Sequence, residues 1–211
     1  MAKILSPRHV ADLHLGHQLV CDARGFASVA EHDEAVMSLL AQVPERADLY
    51  LHGDLSAGGA GAERHAFELL APLIQARTGA TVLVLGNHDR AHPCNRNGRR
   101  HLRAYHQVFD AVVMHDQVRH EGRPVLLSHF PYAEDHVDGR DLSQWYLRDH
   151  GSLLVHGHLH AERAVEAQRP NQVSVSYESL ADFGGSVPSL AQIVRLADES
   201  RAAGLWGDHA H

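Results

Sequence analysis

Cysteine is nearly absent from this chain of 211 residues. Cys21 and Cys94 stand far apart and form no C-x-x-C pair. That excludes a disulfide framework and reads as two free thiols in a reducing compartment. Long apolar runs are missing too. No stretch approaches the ~20 consecutive apolar residues of a membrane span, so no membrane is expected as a partner. Met1 to Pro7 lacks the long apolar centre of a signal peptide, which predicts a cytoplasmic protein. Positive charge is scarce: Lys and Arg number 19 against 26 Asp and Glu, for a net charge of −7. A general nucleic-acid binder would normally be basic, so nucleic acid is not the expected partner. Lys3 is the sole lysine, a habit of composition without functional content. Repeats, low-complexity blocks and Pro/Gly/Ser linkers are absent as well. The length suits one domain with a sizeable core, so a single domain over 1–211 is expected.

What is present is an alternation of strand and helix. Apolar runs read as strands near Val10–Ala11, Asp48–His52, Thr81–Leu85, Ala111–Met114, Val125–Ser128, Leu153–His156 and Gln172–Ser176. Pro7 and Arg8 interrupt the first, which is expected to begin at His9. Helical patterns cover Val29 to Gln42, Ala62 to Arg77, Gly98 to Gln107 and Leu142 to Arg148. Ser28 to Glu31 fits a capping box opening the first helix. Such alternation predicts an α/β protein, with ligands bound at the carboxyl ends of strands.

Five short segments sit at those ends: Asp12-Leu13-His14, Gly53-Asp54, Gly86-Asn87-His88-Asp89, Ser128-His129 and Gly157-His158-Leu159-His160. Each supplies Asp, Asn or His, the oxygen and imidazole donors that suit divalent Mn, Fe, Zn or Ni. Alone, D-x-H or H-x-H is usually chance, and Gly-Asp is usually a turn. In conjunction the segments describe a two-metal hydrolase site, a type that most often acts on phosphate esters. Asp12 and His14, and likewise His158 and His160, are two apart, so an extended backbone points each pair to one side. Gly86 is expected to permit a sharp exit from its strand. His52 and His156 precede motifs and are expected to face the core. Most of the other histidines, His9 and His65 among them, lack a partner at ligand spacing.

The ordered set D-x-H, G-D, G-N-H-[DE], H, G-H-x-H resembles that of the calcineurin-like metallophosphoesterases. Within them the chain is most similar to small bacterial and phage phosphoesterases whose first motif continues as D-L-H-L-G-H. Arg24-Gly25-Phe26 and Glu31-His32-Asp33-Glu34 also resemble theirs. The motif-bearing part is 9–160, and the tail from about 169 offers no functional residue. The resemblance implies a four-layer α/β/β/α sandwich of two mixed sheets flanked by helices. It implies two divalent ions, manganese foremost, with Fe, Zn or Ni as substitutes. One ion would take Asp12, His14, Asp54 and His160, and the other Asp54, Asn87, His129 and His158, so that Asp54 bridges. It also implies attack in line by a metal-bridging hydroxide. His88 would not be a ligand but a general acid or anion-stabilising donor, matched by the imidazole pKa. Asp89 would orient His88 or cap the following turn. His17 extends the first motif, either supporting the ligands from outside or serving a purely structural role.

Between Arg90 and His106 lie Arg90, Arg96, Arg99, Arg100 and Arg103 with no acid. They read either as a solvated surface or as a rim contacting substrate phosphate, since Arg forks match phosphate oxygens. Ala133 to Arg148 is conversely acidic, at Glu134, Asp135, Asp138 and Asp141, and with Trp145 and Tyr146 could form an opposite wall or lid. The expected activity is hydrolysis of a small-molecule phosphate ester, a diester or nucleotide derivative. The alternatives are a DNA or RNA phosphodiesterase or a phosphomonoesterase, and a non-catalytic scaffold comes last because all eight motif positions are intact.

Overall fold

The computed structural model describes residues 5–132 and 141–206. Strands β1 (Arg8–Val10), β2 (Leu49–Leu51), β3 (Thr81–Val84) and β4 (Ala111–Val113) form a sheet in that order, with every neighbouring pair parallel. Strands β5 (His115–His120), β6 (Arg123–Ser128), β7 (Leu153–His156) and β8 (Gln172–Ser174) form a second sheet, also in chain order. Here β5 and β6 are an antiparallel hairpin and the other neighbours are parallel. The two flanked sheets agree with the expected α/β sandwich. The expectation that both are mixed does not hold, because the first is wholly parallel. Helices make its crossovers, α1 (Gln18–Ala23) and α2 (Val29–Ala41) between β1 and β2, and α3 (Ala60–Gln75) between β2 and β3. A short α4 (Leu102–Tyr105) precedes β4, and α5 (Leu190–Ala202) follows β8 and lies against β5, β7 and β8.

Local chemistry explains most of these elements. The first strand begins at Arg8, one residue earlier than expected. Ser28 Oγ caps α2 by accepting from Glu31 N, but the Glu31 carboxylate takes the Ala27 amide instead of closing the box on Ser28. The helix expected over 98–107 is a 3₁₀ turn at Gly98–Arg100 followed by α4, and that expected over 142–148 is a single 3₁₀ turn at Ser143–Trp145. β5 is polar and alternates exposed with half-buried residues, so it carries no apolar run. Its turn is made by Glu121 and Gly122, with φ of 49° and 81°, the left-handed pair that suits a hairpin. α5 opens with a complete capping box between Ser189 and Gln192 and buries Leu190, Ile193, Val194 and Ala197, one face of a helix.

Val10, Leu51, Leu83 and Val84 of the first sheet pack in one core with Leu127, Val155 and Val173 of the second. Such side chains stabilise by about 1.5–3 kcal/mol each when fully buried. Just past β1, Ala11 N donates to Val175 O at 2.8 Å, and Ala11 bridges Ser176. This joins the chain leaving β1 to the chain leaving β8. The ends of β1, β2, β3, β6 and β7 are thereby gathered at one place. Among the described residues no helix is long and apolar enough to cross a membrane.

Candidate metal centre

The residues that follow these five strands converge in two groups. Donor atoms of Asp12, His14 and His160 lie within 4.8 Å of one another, and so do those of Asp54, His129 and His158. Asn87 joins the second, its Oδ1 3.0 Å from His129 Nε2. Between the groups stands Asp54, whose Oδ2 is 3.9 Å from His14 Nε2 and 3.5 Å from His129 Nε2. All seven residues are buried except His160, which is half-buried.

The backbone that delivers them is not extended. Asp12, His14, Asp54, His158 and His160 have φ between 48° and 73°. Non-glycine residues seldom adopt this left-handed region, and it concentrates at functional sites. The expectation of i, i+2 pairs on a strand is therefore corrected: β1 and β7 have ended, and left-handed residues alternate along the loops. His158 and His160 diverge into different groups as a result. Gly86 also has another reason than a sharp exit. A Cβ there would run into the Asp54 side chain and approach His129 Cε1 to 2.8 Å, so only glycine allows the strand ends to meet so closely.

Hydrogen bonds set which nitrogen each ring presents. His129 Nδ1 lies 2.7 Å from the His52 carbonyl and must donate to it, so in the neutral ring Nε2 is an acceptor facing Asn87 Oδ1, His158 Nδ1 and Asp54. His160 Nδ1 lies 3.0 Å from Glu178 Oε1, leaving Nε2 to face His14 Nε2 at 3.0 Å. Where acceptor faces acceptor, as a neutral His129 faces Asp54, a shared proton or a cation must lie between them, and this donor set fits divalent metal. In the metal-free state burial pushes His14 down to about 3, against the pull of Asp54 and Asp12. Burial works against His160 as well, but the Glu178 hydrogen bond and Asp12 raise it to about 9.

Supporting contacts fix the acids. Asp12 accepts from His158 N at 3.0 Å and from the Ser176 hydroxyl at 2.6 Å. Asp54 Oδ1 accepts from His88 N at 2.8 Å. Asp89 does not touch the His88 ring. It accepts from the amides of Asp54, Leu55 and Gly86, pinning the loop after β2 to the loop after β3. Burial and the Asp54 charge raise its pKa to about 7.

His88 is the most open of the motif residues, with 40% of its side chain exposed. Its Nδ1 donates to Ala57 O at 3.3 Å, which aims Nε2 at Asp54 Oδ2, 3.9 Å away. His17 Nδ1 lies 3.4 Å from His14 Nδ1, beside the site. His52 and His156 are buried outside both groups: His52 Nδ1 donates to Ser128 O and its Nε2 accepts from His9, while His156 bonds Gly157 O.

The arginines divide. Arg90 donates to Glu63 Oε1 at 3.0 Å and is tied to α3. Arg96, Arg99, Arg100 and Arg103 are exposed and, among the described residues, bond none of the candidate ligands. Trp145 packs edge-on against His92, and Tyr146 against Phe130, which itself touches His129 and His158. That forms a wall behind the second group. Asp141 accepts from Ser143 N, while Glu134, Asp135 and Asp138 lie outside the described residues.

Two residues of the site escaped sequence reasoning, Ser176 and Glu178. Both follow β8, in the tail expected to be silent. Neither belongs to a motif, and no spacing in the sequence links them to Asp12 or His160.

No family model matches the chain. The Gene 66 protein of Mycobacterium phage L5 is 36% identical over 160 residues, 72% of this chain and 75% of that protein. The Gene 66 protein of Mycobacterium phage D29 is 36% identical over 183 residues, 82% of this chain and 88% of that protein. Among solved structures, a protein of unknown function from Aquifex aeolicus, AQ665, superposes with a TM-score of 0.64 at 21% identity, over 90% of this chain and 98% of that one. That likeness shows a shared fold. Yfce, a phosphoesterase from E. coli, gives a TM-score of 0.44 at 20% identity, over 83% and 80% of the two chains.

Proposed function

The chain belongs to the family of the mycobacteriophage Gene 66 proteins, and we propose that it is a metal-dependent phosphoesterase. The observation that carries this reading is the Asp54 carboxylate standing between two groups of buried imidazole and carboxylate donors. Asp12, His14, Asp54 and His160 would hold one divalent ion, and Asp54, Asn87, His129 and His158 the other, manganese being the ion we expect first. Ions there would acidify a water and polarise the phosphoryl oxygens of a bound ester.

The chain's own residues supply the rest. Asp12 and Asp54 bring two negative charges against four positive ones, so the loaded site suits an anion. His88 reaches into it from an exposed position, and its Nε2 gives a proton to the departing alkoxide oxygen. The Ala57 carbonyl keeps the other ring hydrogen in place. The substrate class we assign is a small-molecule phosphodiester or nucleotide derivative. The four exposed arginines favour, as the second reading, a polynucleotide diester, against which the net charge of −7 stands.

The test is hydrolysis of aryl phosphate mono- and diesters by protein loaded with Mn, Fe, Zn or Ni. Metal-dependent turnover, lost in His129→Ala, is expected. No turnover of any ester with any of these ions would leave the scaffold reading standing in its place.

A further inference from the structure

Among the candidate ligands His160 is the most exposed. It follows β7 in a loop, its side chain is 30% exposed, and its Nδ1 hydrogen goes to Glu178. His129, by contrast, is fixed by a backbone carbonyl. Glu178 stands in the 3₁₀ segment Tyr177–Phe183 after β8, and a second residue holds it there. Arg24, the C-cap of α1, has only 5% of its side chain exposed and reaches Glu178 Oε1 with Nε at 2.9 Å and Nη2 at 2.8 Å. The same guanidinium donates to the carbonyls of Asp12 at 2.7 Å and Leu13 at 3.2 Å, and to His32 Nε2 at 2.8 Å. It lies over the Tyr177 ring, 4.3 Å from its centre. One planar fork thus ties the loop bearing Asp12 and His14 to the carboxylate that orients His160, a task a lysine ammonium could not perform.

We propose that Arg24 and Glu178 are a positioning pair for the Asp12, His14 and His160 group, fixing that group alone in the geometry an ion requires. The inference rests on the reading of the centre as a two-metal site. The bonds described for Arg24 and Glu178 go to Asp12, Leu13, His32 and His160 and to each other, so the two groups should respond differently to the loss of the pair. Outer partners that orient a metal-ligating histidine typically account for 10–100-fold in metal affinity.

Two features make the test discriminating. All three donors converge on Glu178 Oε1, while Oε2 has no partner among the described residues. An amide at this position can therefore keep every bond, with its nitrogen in the place of Oε2. Glu178→Gln removes the charge and retains the geometry, whereas Glu178→Ala removes both.

The experiment is a calorimetric titration of metal-free protein with Mn²⁺. Wild type should bind two ions. Glu178→Ala should bind one as tightly as wild type and the other about 10–100-fold more weakly, and Glu178→Gln should follow wild type. Should the alanine variant fail to fold, Arg24→Lys takes its place and the same selective weakening is expected. Two unchanged affinities in Glu178→Ala, equal weakening of both ions, or loss of one ion in Glu178→Gln would each overturn the proposal. A wild-type protein that binds no ion would instead overturn the two-metal reading itself, and this inference with it.

Discussion

The Asp54 Oδ2 atom lies 3.5 Å from His129 Nε2, and in the neutral ring that nitrogen has no hydrogen to offer it. The ring has already given its Nδ1 hydrogen to the His52 carbonyl at 2.7 Å. A carboxylate oxygen and an imidazole lone pair stay this close in a buried place only if a proton or a cation is shared between them. His14 and His160 also bring their Nε2 atoms face to face at 3.0 Å, a hydrogen bond that a cation between the rings could replace.

This arrangement predicts that metal binding expels protons. Burial opposes it, but Glu178 and Asp12 hold His160 up at about 9, and Asp54 and Asp12 likewise raise the buried His129. A histidine raised above its usual ~6.5 stabilises the metal-free fold fully below that value, and the contribution is lost as pH rises through about 9. An ion must displace the proton, so ion affinity should climb with pH to about 9 and then level off. Titrations at pH 7.5 in two buffers of different ionisation enthalpy should report at least one proton released. Identical heats in both buffers would contradict it.

His88→Ala should keep its metal and lose roughly 10²–10⁴ in rate, the usual worth of a general acid. The loss should shrink with nitrophenyl esters, whose leaving group needs little protonation. Equal losses for good and poor leaving groups would make His88 an anion-binding residue and not an acid.

Arg90 should behave unlike its neighbours. It shares the buried Glu63 carboxylate with the Tyr105 hydroxyl, which donates at 2.6 Å, so Arg90→Ala leaves that acid with one partner fewer. A destabilisation of about 1–3 kcal/mol is expected in denaturant unfolding. Replacing the exposed Arg96, Arg99, Arg100 or Arg103 should change stability by less than about 0.5 kcal/mol. If these four meet substrate, each replacement should raise KM more than it lowers kcat, with the effect fading at high salt. Changes under about twofold at both salt concentrations would make them solvated surface.

Gly86→Ala tests the close approach of the strand ends. The added methyl would collide with the Asp54 side chain and crowd His129 Cε1 at 2.8 Å. Metal binding and melting temperature should both fall, and a variant with unchanged metal affinity would show that the approach has slack.

The parts of this protein legible in the sequence are those whose signal is local. Apolar runs such as Val82–Leu85 mark parallel strands buried on both faces, and the motif residues follow directly from their ends. β5 was not legible because an edge strand with one half-buried face has no apolar run. α5 carries a readable signal in Ser189 and Gln192 and in its apolar spacing. The pairing of Glu178 with His160, and of Ser176 with Asp12, was not legible for a different reason. It arises where the ends of β7, β8 and β1 meet across the two sheets, separated along the chain by 18 and 164 residues. The Arg90 to His106 segment shows the converse limit. It holds no acid of its own, yet Glu63 from α3 reaches Arg90 through space.

The most direct test of the account is the metal content of reconstituted protein, measured by elemental analysis for wild type and for Asp54→Ala. Asp54 Oδ2 lies within 3.9 Å of a nitrogen of each donor group. Wild type should therefore hold two ions per chain, and the single substitution should weaken both. A wild-type stoichiometry of one or zero, or an Asp54→Ala protein that keeps either ion at wild-type affinity, would contradict a shared centre built on this carboxylate.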